Sequence, residues 1–343
     1  RANKQWMVLK ATHGYDRGAS NSYLADENDP LVIAHLLYDE PDLTGPSPAV
    51  MNAEVAAARA LGSAKPFFVN FRNQMTGIAY TSLNPGQFVN LQAADWVSSD
   101  NYAYQGQEVY IFGDRYAEDG FVGPFTTMSG HATRVLNAGP LHKAPITYPG
   151  RATFQFLATG RIYDGAPGGR PWPRMTALQY GIQAWSCIVN GASGLIHFAH
   201  YRAGAPDQIS DDTSPELERG IANLVAKLAV LEGQAGGNVL MDTTLGGRRR
   251  FTLRPCTNSE GGGQWDWPAN QPNFGKTSGL QLPPWFEGAE IPVGGETYRL
   301  VLNLHDSLPK SLTDGAWGLA NSSFRAGQVK CFKASAPSVD IFA

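Results

Sequence analysis

The sequence predicts an α/β domain over residues 1–236, built on a parallel sheet, followed by an all-β sandwich over residues 237–343. Two observations predict this division. Short apolar, β-rich runs alternate with longer helical patterns through the first two thirds, which is how parallel-sheet architectures read. After Gly233-Gln-Ala-Gly-Gly the pattern changes to short alternating runs such as Arg250-Phe-Thr-Leu-Arg and Glu296-Thr-Tyr-Arg-Leu-Val-Leu-Asn-Leu, separated by Gly, Pro and Asn turns. A third observation concerns chemistry: the second apolar run ends in carboxylates, and acids at the C-terminal end of a parallel strand are where such sheets keep their reactive groups.

Taken in order, the expected strands are residues 6–11, 31–38, 66–71, 95–102, 152–158 and 194–201. The first clear helix follows Ser47-Pro48, with Ser as cap and Pro at the first helical position, and Gly62 closes it. Further helices are expected over 124–137, 173–190 and 214–231, the last opening with Ser-Pro-Glu-Leu-Glu. No internal repeat at a fixed period is present.

Composition narrows the function. Lys plus Arg total 27 against 30 Asp plus Glu, for a net charge of -3, and the longest basic run is Arg248-Arg249-Arg250, so nucleic acid is not the expected partner. No apolar stretch reaches the roughly 18–20 residues of a membrane span. Cys187, Cys256 and Cys331 show no zinc spacing, so no metal is expected. Cys256 and Cys331 read equally well as a disulfide pair or as free thiols. No Gly-x-Ser-x-Gly elbow, Walker loop or dinucleotide fingerprint occurs, and no cofactor is expected. The 38 Gly, 23 Pro, 8 Trp, 13 Tyr and 16 Phe make a loop-rich, aromatic-rich balance suited to carbohydrate-handling proteins that are extracellular, at the cell surface or virion-associated.

The most informative segment is Leu36-Leu-Tyr-Asp-Glu-Pro-Asp42, where a strand stops at a proline that fixes Glu40 at its turn. This run resembles the Tyr-x-x-Asp-Glu-Pro strand end of TIM-barrel glycoside hydrolases, in which the Glu before Pro on the fourth strand is the acid/base. Pro66-Phe-Phe-Val-Asn-Phe, Ala94-Asp-Trp-Val-Ser-Ser-Asp-Asn-Tyr-Ala-Tyr and Ala152-Thr-Phe-Gln-Phe are similar to the fifth, sixth and seventh strands in order. The segment from Pro173 to Phe198 is similar to the helix entering the eighth. The resemblance implies a (β/α)8 TIM barrel of which strands one and two are absent here, supplied by an earlier part of the polypeptide or another segment. It implies glycosidic-bond hydrolysis of a polysaccharide or glycan.

Glycoside hydrolysis needs a protonated acid at the leaving oxygen and a second carboxylate about 5–5.5 Å away for retention or about 6.5–9.5 Å for inversion. Glu40 takes the first role. Asp100 is the leading second carboxylate, and it also reads as an Asx-turn acid with Asn101. Asp39 is the poorer choice, because alternation turns adjacent strand residues to opposite sides; it is expected to tune Glu40 or bond a loop. The strand resembling the seventh offers Gln155 where retaining relatives carry a second Glu. His13, Tyr15, Tyr38, Tyr102, Gln155, His197 and Tyr201 are expected to meet the sugar, aromatic rings by stacking and polar groups by hydrogen bonds. The rival reading is a catalytically silent barrel serving as a carbohydrate-binding or structural module, a subunit of a larger surface or viral tail assembly.

Overall fold

The computed structural model describes residues 8–11, 27–30, 32–39, 41, 45–71, 94–100, 152–158, 176–189, 193–198, 215–236, 250–252, 286–303 and 309–343. Its first part is a six-stranded sheet of β1 (Val8–Ala11), β2 (Val32–Asp39), β3 (Phe67–Phe71), β4 (Trp96–Asp100), β5 (Ala152–Ala158) and β6 (Gly194–Phe198). Every neighbouring pair is parallel and the spatial order equals the chain order. Runs such as Phe-Phe-Val in β3 are apolar on both faces, as strands covered on both sides must be. A doubly wound sheet reverses its order at a switch point, whereas an unbroken sequential order is that of a (β/α) barrel. The eight-stranded closure expected from the resemblance is not present among the described residues, where β1 and β6 each pair on one side only.

Helix α1 (Pro48–Ala60) joins β2 to β3 and buries Pro48, Met51, Val55 and Ala58, a stripe at helical spacing. Ser47 takes the extended cap conformation but its side chain makes no capping bond, contrary to expectation; Pro48 at the first turn and Gly62 at φ 101° set the two ends. Helix α2 (Ala177–Val189) joins β5 to β6 and is opened by a capping box: the Gln179 N–H donates to Thr176 Oγ1 at 3.2 Å and the Thr176 N–H to Gln179 Oε1 at 3.0 Å. Helix α3 (Pro215–Ala235) runs one turn beyond the expected end and stops at Gly236, φ 75°.

The remaining strands are antiparallel. A five-stranded sheet has the order β13 (Ala336–Asp340), β12 (Val329–Lys333), β9 (Glu296–Asn303), β8 (Phe286–Val293), β7 (Arg250–Thr252), and β10 (Lys310–Asp314) pairs with β11 (Leu319–Phe324). On one face of the larger sheet, Phe286, Val301 and Phe332 pack with Leu312, Trp317, Leu319 and Phe324 of the β10–β11 ribbon. On the other, Ile291, Tyr298, Leu300, Leu302 and Cys331 share a core with Tyr180, Ile182, Trp185 and Ile188 of α2 and Leu217, Leu224 and Leu231 of α3. The larger antiparallel sheet thus lies between two other layers, the helices and the ribbon. The cause is legible in β9, whose last four residues are buried from both sides. The Tyr298 hydroxyl ties the layers by donating to the Gln234 carbonyl at 2.8 Å. Cys331 is a free, buried thiol, and Cys256 lies outside the described residues.

The N-terminal end of the parallel sheet is held by charge. The Glu27 carboxylate accepts from the backbone N–H groups of Ala64 and Lys65 at 2.6 and 2.8 Å and from the Ser63 hydroxyl at 3.0 Å, and lies 3.0 Å from His35 Nε2. Burial acts to raise its pKa, but the His35, Ala64, Lys65 and Ser63 bonds outweigh it and bring the group down to about 2. Arg59 donates to the Ser63 and Lys65 carbonyls and to Asp95, whose carboxylate also accepts the Phe67 N–H, each at 2.8 Å.

Two stability measurements follow. Leu300 is fully buried between α2 and the antiparallel sheet, so Leu300→Ala is expected to cost about 2–5 kcal/mol in chemical denaturation. Because that core spans both parts of the chain, unfolding followed by α-helix and by aromatic signals shifts together; independent transitions would contradict the shared core. For Glu27, a native pKa of about 2 against an ordinary 4.5 means that its stabilisation is complete above pH 4.5 and is lost as pH falls toward 2. Glu27→Gln is therefore expected to cost about 1–3 kcal/mol near neutrality and progressively less below pH 4.5; a pH-independent difference would remove the assigned role.

Candidate functional site

The two faces of the parallel sheet carry different chemistry. Toward the helices, Tyr38 of β2 is buried and donates its hydroxyl to Glu54 of α1 at 3.3 Å, the Arg59 guanidinium covers the Phe67 ring at 4.8 Å, and His197 of β6 meets Tyr180 of α2. On the opposite face, Ala34, Phe68 and Phe154 form an apolar layer with Leu36, Trp96 and Ile196. The Phe154 ring lies 4.9 Å from Trp96 and stands edge-on to Phe68 at 6.1 Å. Gly194 makes room for it, since a Cβ there would fall 2.4 Å from the ring.

Toward the C-terminal ends of the strands, this inner face turns polar. The Ser98 hydroxyl on β4 donates to Asn70 Oδ1 on β3 at 2.6 Å, and Asn70 Nδ2 donates to Asp39 Oδ1 on β2 at 2.8 Å. Ser98 and Asn70 are buried, at 0% and 2% exposure, and Asp39 is exposed. The result is a hydrogen-bonded line that crosses three adjacent strands and ends on a carboxylate at the sheet's mouth.

A register shift decides which carboxylate that is. Leu36 pairs with Phe68 and Tyr38 with Val69, so β2 holds one extra residue at this point. The shift turns Tyr38 to the helices and brings Asp39 into register with Asn70. This bears on one expectation drawn from uninterrupted alternation and on one drawn from an aromatic residue at a strand end. Asp39 stands on the inner face, and Tyr38, expected to meet a sugar, is instead a strand-to-helix packing residue.

His197 is also held on the helix side. Its Nε2 lies 2.7 Å from the Tyr180 hydroxyl and the two rings are 5.7 Å apart, so the water lost at the ring holds its pKa below the ordinary 6.5 although the residue as a whole is exposed. Burial pushes the Tyr180 hydroxyl upward. Asp100 is the last residue of β4, two beyond Ser98, and its backbone pairs with Phe156; Gln155 on β5 pairs with Ser99 and Leu195. Glu40, His13, Tyr15, Tyr102 and Tyr201 lie outside the described residues. Among the described residues there is no group of three or more His, Cys, Asp or Glu side chains able to hold a metal, and no helix is long and apolar enough to cross a membrane.

Asn70 and Ser98 escaped the sequence reading. Their one available signal was a lone amide in the otherwise apolar run Phe67-Phe-Val-Asn-Phe, since a buried amide is retained only where it is bonded.

No protein-family model matches the sequence, and no curated protein matches it. Among solved structures the chain is similar to a glycoside hydrolase with TM-score 0.44 and 9% identity, over 92% of this chain and 63% of that one. It is similar to a family 5 glycoside hydrolase from Bacteroides vulgatus with TM-score 0.43 and 10% identity, over 92% and 61%. A third is the cyclic alpha-maltosyl-(1-->6)-maltose hydrolase of Arthrobacter globiformis, with TM-score 0.38 and 9% identity, over 92% and 58%. The chain spans 63% or less of the length of each. These likenesses are too loose to place it in a family, and its functional reading rests on its own residues.

Proposed function

We propose that the protein cleaves glycosidic bonds of a polysaccharide or glycan, with Glu40 as general acid and Asp100 as the second carboxylate. The observation that carries this reading is the exposed Asp39 carboxylate at the C-terminal end of a sequentially ordered parallel sheet, held there by buried Asn70 and Ser98 and followed at once by Glu40-Pro41. Reactive groups of such sheets gather at that end. A carboxylate next in sequence to Glu40 also suits a general acid working near neutrality, because a nearby negative charge favours the protonated form. An extracellular, cell-surface or virion-associated setting fits a glycan substrate and belongs to the same proposal.

One observation favours the silent carbohydrate-binding or structural module: β5 offers Gln155 and no carboxylate, so the nucleophile of a double displacement is not on that strand. Inversion, which needs only a base for water, is compatible with this.

The test is the release of new reducing ends from a panel of plant, bacterial and fungal polysaccharides and from aryl glycosides. The wild-type chain is expected to cleave at least one of them, and Glu40→Gln, which cannot donate the proton, to lose about 100-fold or more in kcat. Full activity in Glu40→Gln would refute the acid assignment. Glycan binding by a wild-type chain that never cuts would establish the module reading instead.

A further inference from the structure

We infer that Asn70, clamped by Ser98, is a positioning residue that sets the orientation of the Asp39 carboxylate at the mouth of the sheet; this rests on the hydrolase reading for its consequence in catalysis. Three features carry it. Asn70 and Ser98 are buried beside the Phe68, Trp96 and Phe154 layer, where an aliphatic side chain of similar volume would pack without taking polar groups out of water. Their hydrogen bonds have one direction: with Ser98 donating to Oδ1, the amide is left to donate through Nδ2 to Asp39 Oδ1. The line also runs from full burial to exposure, so the only member facing solvent is the carboxylate beside Glu40.

A side chain that merely fills space would be insensitive to what stands at position 39. A positioning residue acts through Asp39, and its removal matters only while Asp39 is present. Holding one carboxylate oxygen on the amide restrains the group that neighbours the proposed acid, and a displacement of about 1 Å, even one caused away from the reacting atoms, can cost about 100-fold in rate.

The experiment combines Asn70→Leu with Ser98→Ala, which removes the polar line without leaving a buried hydroxyl unbonded, and crosses the pair with Asp39→Ala. The first readout is independent of activity. In the wild-type chain the Asn70 side-chain amide protons are expected to exchange slowly by NMR, and Asp39→Ala to speed them about tenfold; exchange that ignores Asp39 overturns the inference. The second readout is kinetic, on whichever aryl glycoside the wild-type chain cleaves. The Asn70→Leu/Ser98→Ala pair is expected to lower kcat about 10- to 100-fold with KM changed less than about twofold, and to have no further effect once Asp39 is Ala. Independent, multiplicative losses overturn it. The outcomes separate the claims: if the wild-type chain cuts no glycoside, the hydrolase reading fails and amide exchange alone decides the Asn70 role, whereas an active Glu40→Gln removes only the acid assignment and leaves the kinetic test of Asn70 in place.

Discussion

A parallel sheet has no face it can leave to water, and the arrangement of this protein follows from that constraint. Helices α1 and α2 cover one side. Helix α2 is itself apolar almost all round, with Tyr180, Ile182, Ala184, Trp185, Cys187, Ile188 and Val189 all buried, so it needs cover on its far side as well. That cover is α3 and the inner face of the antiparallel sheet. The C-terminal strands are therefore part of what keeps the parallel sheet dry, and the β10–β11 ribbon in turn shields their outer face.

The same constraint shapes the other side of the sheet. Its middle is filled by Phe68, Trp96 and Phe154, and among the described side chains Asn70, Ser98 and Asp39 bring polar groups toward the C-terminal ends of the strands. There the single extra residue in β2 exchanges the faces of Tyr38 and Asp39. It gives the tyrosine to the helix layer and the carboxylate to the mouth. The opposite end, where Glu27 and Arg59 bind the loop before β3, is built from tightly satisfied ionic bonds and reads as support.

The strands of the parallel sheet are legible because each is a short, β-rich run between longer helical or turn-rich stretches, and β5 matches its expected span residue for residue. What stayed illegible depends on neighbours distant in sequence. Asp39 could not be placed, because a one-residue irregularity leaves no mark in the pattern Leu-Leu-Tyr-Asp. The burial of β9 on both faces reflects α2 and α3, more than 60 residues upstream of it, and a sandwich strand would show the same alternating start. Asn70 and Ser98 carry little signal of their own, because a polar residue within a strand reads first as an interruption.

The most direct test of the hydrolase reading is the distance between the Glu40 and Asp100 carboxyl groups in an experimental structure, together with the access of solvent to both. A separation of about 5–9.5 Å across an open mouth agrees with glycosidic hydrolysis and, by its value, assigns retention or inversion. A pair held farther apart than about 10 Å, or walled off from solvent, contradicts it.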